Sequence, residues 1–285
     1  MSQYIIHPNE NKNIKIEKFA EPFPHIIIDN LFEQKDYQTM CEIFPSFISR
    51  VKPYKDTPGA TSNYEGYISG LSKEDVFGNP FDFFASRELK NFVEKEFGIE
   101  TTKYVAPSAH FHKAPSKDGF IHRDMNICSF KETETEDFVF TNGTIYTNDS
   151  RRINCEKEVK VIRSVALLYY LNNDNSESAS GGGTGIYNSY NGEVRIKEVE
   201  PKNNRLFLFE INNMSYHAFI GANFNRSAVV TWFHSKPALF FRNFIKKYNQ
   251  IPALEKWSNV EGEPWSIEYD PEFSIHFPEL KEHAK

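Results

Sequence analysis

His122 and Asp124, in Ile121-His122-Arg123-Asp124-Met125-Asn126, are the first pair whose types and spacing could do chemistry. Side chains two apart in an extended strand share a face. The spacing therefore sets an imidazole beside a carboxylate and turns Arg123 away. A neutral nitrogen and a hard oxygen, completed by a second histidine from elsewhere, make the 2-His-1-carboxylate facial triad of non-haem Fe(II). Such a triad fills one face of an octahedron and leaves three positions for substrates. Alone, His-x-Asp is a weak signal, because short matches recur by chance.

His217 is the best candidate for the third ligand, in Asn213-Met214-Ser215-Tyr216-His217-Ala218-Phe219. A lone histidine at a strand start is commonly structural. Arg226, in Asn225-Arg226-Ser227-Ala228-Val229-Val230-Thr231-Trp232-Phe233, changes the balance. A buried guanidinium in an apolar strand needs an anionic partner to offset its desolvation. A short turn after the His217 strand would return the chain antiparallel to it, with Arg226 at the inner end of a pocket whose mouth holds the metal. A dicarboxylate cosubstrate would then chelate iron at one end and meet the guanidinium fork at the other.

The elements that must position these residues read mainly as strands. The chain has 285 residues, 39% hydrophobic, with 26 Phe and 14 Tyr; aromatic content of that kind favours sheet. Strands are expected at 104–113, 120–126, 161–172, 185–189, 193–198, 205–211, 218–221 and 227–234, separated by turn residues. That spacing suggests a sandwich, jelly roll or barrel. Ahead of them lie a β-branched strand at Ile26-Ile27-Ile28 and a helix over 33–44, which Pro45 should terminate. A long ordered loop follows over 51–82, then a helix over 87–97 closed by Gly98. The polar insert 131–160 contains Asn142-Gly143 between β-rich runs, a hairpin signal. Leu239, Phe240, Phe244 and Ile245 make a last helical stripe, and the tail from Gln250 is expected to wrap the domain. No internal repeat is seen. The chain reads as one domain: helical and loop support over 1–100, the β core over 101–236, and a helix and tail over 237–285.

Charge and cysteines narrow the partners. A net charge of −6 argues against nucleic acid or an anionic membrane as the main partner. The N-terminus lacks a signal-peptide pattern, and the apolar run 165–171 is too short to span a bilayer. Cys41, Cys128 and Cys155 are an odd set without Cys-x-x-Cys, so no disulfide framework or zinc finger is expected and the cytoplasm is the default location. Cys128 lies near Asp124 and either borders the site or is a small buried apolar residue.

Taken together, His122-x-Asp124, His217 and Arg226 resemble the Fe(II)- and 2-oxoglutarate-dependent oxygenases with a double-stranded β-helix (jelly-roll) core, and most nearly their prolyl-4-hydroxylase-like branch. Leu167-Leu168-Tyr169-Tyr170-Leu171-Asn172 looks like the branch's aliphatic–Tyr–Leu–Asn strand, and Gly181-Gly182-Gly183-Thr184-Gly185-Ile186-Tyr187 like its Gly-Gly-x-x-aliphatic strand. Val199-Glu200-Pro201, Trp232-Phe233 and the opening Pro22-Phe23-Pro24-His25-Ile26-Ile27-Ile28-Asp29 fit as well; the resemblance spans residues 22–236. It implies a mainly β fold with flanking helices, Fe(II) on His122, Asp124 and His217, and Arg226 on the C5 carboxylate of 2-oxoglutarate. Tyr170 would support that carboxylate. His112 falls where some members place a pocket tyrosine, and Trp232 matches a pocket-wall aromatic. The implied cofactors are Fe(II), 2-oxoglutarate and O2, with ascorbate in support. The implied reaction is hydroxylation of an unactivated C–H, since halogenating relatives carry a small residue in place of Asp124. Branch members oxidise peptidyl proline, free amino acids and small metabolites. An acidic single-domain chain leans toward a small-molecule, amino-acid or peptide substrate, with loop 51–82 and insert 131–160 as lids.

Other readings stand beside this one. A cupin-like metal protein, either an isomerase or a ligand-binding module, would explain the strands and histidines but not Arg226 with Tyr170. A purely structural jelly roll explains still less. Gly181–Gly185 lacks the ending of a phosphate loop. His110 shares a strand face with His112 but has no carboxylate two residues on. His25, His234, His276 and His283 have no ligand-like neighbours and read as structural or solvated.

Overall fold

Side chains alternate along the strand Glu158–Tyr170. Val165, Leu167 and Tyr169 face one apolar cluster, Ala166 and Tyr170 another. A strand with two apolar faces must be covered on both sides, and that requirement organises the molecule. The computed structural model describes residues 13–53, 66–134, 138–140, 146–147, 158–174, 176–189, 194–250 and 252–254.

In chain order the strands are β1 (Lys15–Phe19), β2 (His25–Asp29), β3 (Gly66–Gly70), β4 (Tyr104–Val105), β5 (Ser108–His112), β6 (Ile127–Lys131), β7 (Val139–Phe140), β8 (Tyr146–Thr147), β9 (Glu158–Tyr170), β10 (Thr184–Tyr187), β11 (Arg195–Val199), β12 (Arg205–Glu210), β13 (His217–Phe219) and β14 (Arg226–Ser235). The helices are α1 (Gln34–Ser49), α2 (Lys73–Val76), α3 (Arg87–Phe97) and α4 (Pro237–Tyr248), with a 3-10 helix at Pro80–Ala85. The major sheet runs β1-β2-β12-β9-β14, continued by β5 and then β3, all antiparallel. The minor sheet is β11-β10-β13, also antiparallel. Met40 and Phe44 of α1 and Leu89 and Val93 of α3 cover the outer face of the major sheet against Leu167, Leu206, Leu208 and Val229. Its inner face packs Ala166, Tyr170, Phe207 and Ala228 toward Ile186 of the minor sheet. Each buried Leu, Val, Ile, Met or Phe among them contributes about 1.5–3 kcal/mol, and each alanine methyl about 0.8 kcal/mol. Two facing antiparallel sheets with helices outside are the jelly roll expected.

Several local expectations are corrected. Helix α1 does not stop at Pro45 but carries it inside and runs on to Ser49. Proline removes the bond to the carbonyl of Cys41, and the Asn172 side-chain amide donates to that oxygen instead, at 2.9 Å. Residues 51–82 are not one loop: β3, α2 and the start of the 3-10 helix fall within them. The strand expected at 104–113 divides into β4 and β5 around Ala106 and Pro107. No strand forms over 120–126; the strand starts at Ile127, and Asp124 has φ 66°. Among the described residues, the strands on either side of Asn142-Gly143 do not pair with each other. β7 joins β4 in parallel and β8 joins β6, while the turn itself lies outside the described residues. Most of the tail from Gln250 also lies outside them. Helix α3 matches expectation, with Ser86 Oγ accepting from Leu89 N at 3.1 Å and Gly98 at φ 67° closing it. The first hundred residues also supply β1, β2 and β3 to the major sheet. Among the described residues no helix is long and apolar enough to cross a membrane.

Candidate metal centre

The backbone brings the two histidines together. His122 N donates to His217 O at 3.0 Å and His217 N donates back to His122 O at 2.8 Å, so the residues face one another as an antiparallel pair. Their ring centroids lie 4.3 Å apart. In each, Nδ1 meets the carbonyl two residues back: Phe120 O at 3.0 Å and Ser215 O at 2.9 Å. A carbonyl only accepts, so both Nδ1 atoms carry a proton; each Nε2 is turned toward Asp124 and, once deprotonated, would offer its lone pair to a cation.

Asp124 reaches the same point by a turn and not by strand alternation. Its left-handed backbone, which Asp tolerates better than most residues, swings the carboxylate between the rings. Oδ1 lies 3.7 Å from His122 Nε2, and Oδ2 lies 3.4 Å from His217 Nε2. One donor atom from each of the three lies within 4.8 Å of the others. Cis ligands of an octahedral ion with bonds of about 2.1 Å stand about 3 Å apart, so the three need only close slightly. Two imidazoles and a carboxylate, with the histidine tautomers already set, are a donor set that fits Fe(II).

Both carboxylate oxygens have a further donor. Arg163 Nη1 donates to Oδ1 at 2.9 Å, and Trp232 Nε1 donates to Oδ2 at 3.0 Å. The Arg163 guanidinium stacks 4.1 Å from the Trp232 ring centroid. Burial alone would raise the Asp124 carboxyl, but the hydrogen bond with His217 and the charges of His122 and Arg163 hold it far below the usual carboxylate range. Arg163 points inward because the register between β9 and β14 shifts between Phe233 and His234. A bulge of this kind re-aims a side chain.

The three residues stand in the wall of a cavity of about 280 Å³, which His110, His112, Thr184, Phe219, Arg226 and Trp232 also line. Arg226 is 2% exposed. Its Nε donates to Gly182 O at 3.2 Å, and its guanidinium lies 5.1 Å from the Tyr170 ring centroid. Tyr170 is wholly buried and is not part of the lining; its hydroxyl bonds to Thr184 Oγ1 at 2.7 Å, and Thr184 faces the cavity. The His112 ring meets Phe219 edge-on at 4.0 Å. Burial, then the charge of Arg226, then His110 push the His112 imidazole well down, so it is neutral.

The structure thus gathers His122, Asp124, His217, Arg226, His112 and Trp232 around one space, with Tyr170 just behind it. It also corrects how they get there. β13 and β14 are not a hairpin: β13 belongs to the minor sheet and β14 to the major one. Arg123 turns away from the site but is buried, its guanidinium donating to Asn213 O and Ala253 O. Cys128 does not line the cavity and packs with Tyr104, Phe130 and Val161. His25 and His234 hold the carbonyls of Phe23 and Tyr104, while His276 and His283 lie outside the described residues. Three polar lining residues stand outside the set expected from the sequence. Arg163 carries the same signal as Arg226, a guanidinium in an apolar strand. His110 has no carboxylate two residues on to mark it as a ligand. Thr184 sits in a glycine run with nothing to mark it.

The model of a family described as the 2OG-Fe(II) oxygenase superfamily matches residues 121–234, the span that contains all of the metal-centre residues. No curated relative matches the chain. Among solved structures, similarity is found to a prolyl hydroxylase from Trichoplax adhaerens in complex with a hypoxia inducible factor oxygen degradation domain peptide, at 16% identity and TM-score 0.49, covering 74% of this chain and 83% of that one. A prolyl-4-hydroxylase from Pseudomonas putida gives 13% identity and TM-score 0.49 over 74% of this chain and 92% of that one.

Proposed function

We propose that the chain is a 2OG-Fe(II) oxygenase, the family whose model matches residues 121–234, and that His122, Asp124 and His217 hold the iron while Arg226 takes the far carboxylate of 2-oxoglutarate. The observation that carries this reading is the shared cavity, with three convergent donors in its wall and a buried guanidinium beside them. The bound iron, 2-oxoglutarate and O2 supply the oxidising chemistry, in which substrate C–H becomes C–OH and 2-oxoglutarate becomes succinate and CO2.

The chain's own residues orient and shield. The Arg226 fork suits a carboxylate bidentately, and its bond to Gly182 O holds it in place. The Thr184 hydroxyl, tied to Tyr170, offers the same carboxylate a further partner, and neutral His112 offers another from the facing strand. Arg163 and Trp232 fix both oxygens of Asp124, so the carboxylate cannot rotate when ligands exchange. Leu168, Val230 and Trp232 exclude water from the remaining wall.

The substrate is read as a small molecule, an amino acid or one residue of a peptide. A cavity of about 280 Å³ is at the small end of ligand pockets, roughly 300–1,000 Å³, and part of it goes to the cosubstrate. We read the whole chain, 1–285, as a single oxygenase domain. Anaerobic titration with Fe(II) and 2-oxoglutarate tests the site. A weak visible charge-transfer band is expected in the wild type, shifted or lost in Arg226→Ala. A protein that stays colourless and releases no succinate in air is not reading 2-oxoglutarate at this site.

A further inference from the structure

His110 is the polar group of the cavity to which neither iron nor 2-oxoglutarate gives a task. It lies on β5 on the same face as His112, opposite Ala228 of β14 and Ile68 of β3. Around it the wall is apolar: Ile68, Leu168, Val230 and Trp232, the last with its ring centroid 6.4 Å away. Its Nε2 is 2.8 Å from Ser108 Oγ, and Ser108 Oγ donates to Val230 O at 3.3 Å. The serine hydroxyl has one hydrogen. With that hydrogen on the carbonyl, Oγ accepts from His110 Nε2–H. Nδ1 is then a bare lone pair, and it has no partner among the described residues.

The surroundings also limit the charge of whatever meets that lone pair. Burial and the charges of Arg226 and Arg163 outweigh Asp124 and push the His110 imidazole down to about 3, so it stays neutral. The same two guanidiniums disfavour a cation at this spot. Resting on the oxygenase reading of the cavity, we infer that His110 is a substrate-selecting residue whose Nδ1 accepts a hydrogen bond from an uncharged donor on the substrate, an amide N–H or a hydroxyl. A single acceptor in an apolar wall is how small-molecule sites fix orientation. Substrates lacking the donor would be disfavoured roughly ten- to a hundredfold.

Nitrogen NMR tests this without knowledge of the substrate. In protein labelled with ¹⁵N-histidine and loaded with Zn(II), a diamagnetic stand-in for iron, and 2-oxoglutarate, His110 should show a pyridine-type Nδ1 and a pyrrole-type Nε2. His110→Gln assigns the signals, and Ser108→Ala should abolish the tautomer preference. N-methylacetamide should move the Nδ1 resonance upfield, whereas N,N-dimethylacetamide and methylammonium should leave it in place. A proton on Nδ1, equal responses to the two amides, or a response to methylammonium as large as that to N-methylacetamide overturns the inference. The tautomer is also read in metal-free protein, and the charge-transfer band judges the oxygenase reading separately. The two can therefore fail independently.

Discussion

Arg163 of β9 stands opposite His234 of β14 at the point where the two strands slip by one residue, and from there its guanidinium reaches Asp124 at 2.9 Å. The bulge gives the carboxylate its cation. Removing that cation while leaving the strand apolar, as in Arg163→Leu, should weaken Fe(II) binding about 10- to 100-fold, measured by anaerobic titration. Trp232→Phe removes the indole N–H while leaving an aromatic ring under Arg163 and the Arg163 bond to Oδ1, and should cost less. Equal Fe(II) affinity in wild type and Arg163→Leu would show that the backbone and Trp232 position Asp124 without the guanidinium.

The proposed iron ligands are tested by deletion. His122→Ala or Asp124→Ala should abolish succinate release in the presence of substrate. Arg226→Ala should instead raise the 2-oxoglutarate concentration needed for half-maximal rate, because it leaves the three iron donors intact. Arg226→Lys should rescue it only in part, since an ammonium cannot reproduce the fork. Undiminished turnover in His122→Ala would remove this residue from the iron site.

Asn173 predicts a stability effect at the edge of the site. Its amide nitrogen donates to Pro201 O and Ser227 O, and its oxygen accepts from Ser227 N, all next to Arg226. Asn173→Ala leaves the buried Ser227 N–H without this partner and should cost about 1–3 kcal/mol, seen as a lower midpoint in chemical denaturation. An unchanged midpoint would mean that water or a neighbour replaces the amide.

Acid should destabilise the fold above the range in which carboxylates titrate. Burial, only partly offset by its bond to Tyr104 O and reinforced by the charge of Arg163, pushes His234 down to about 3. The unfolded state, with an ordinary imidazole, therefore binds the extra proton between about pH 6.5 and 3, and stability falls as pH falls through that window. This residue alone contributes a slope of roughly 1 kcal/mol per pH unit. Asp29, whose burial is outweighed by Arg205 and Lys202, has a lowered carboxyl and loses its contribution only below its ordinary value. His234→Asn should flatten the upper window. A slope identical to wild type between pH 6 and 4 would assign the acid sensitivity elsewhere.

What could be read beforehand follows from how local each signal is. Apolar periodicity located α3, β9, β12 and β14 because burial on a fixed face repeats along the chain. His122, Asp124, His217 and Arg226 were legible because each breaks an apolar or turn context with a group that needs a partner. The means of assembly were not legible. Asp124 arrives by a left-handed turn, Arg163 by a register slip, and Pro45 survives inside α1 through an amide from distant Asn172. All three depend on pairing between remote segments, and none leaves a mark on the residues beside it. Thr184 shows the same limit: only folding sets its hydroxyl against Tyr170.

The reciprocal bonds between His122 and His217 have a consequence for ion choice. Because the main chain clamps the two rings at a set separation before any ion arrives, the apoprotein needs little reorganisation to take one up. It equally has little means of refusing a rival of similar radius. By the ordinary affinity order, Co(II), Ni(II) and Cu(II) would bind more tightly than ferrous iron. The identity of the resident ion is then decided by supply in the cell, and an enzyme purified without added iron should arrive inert but rescuable.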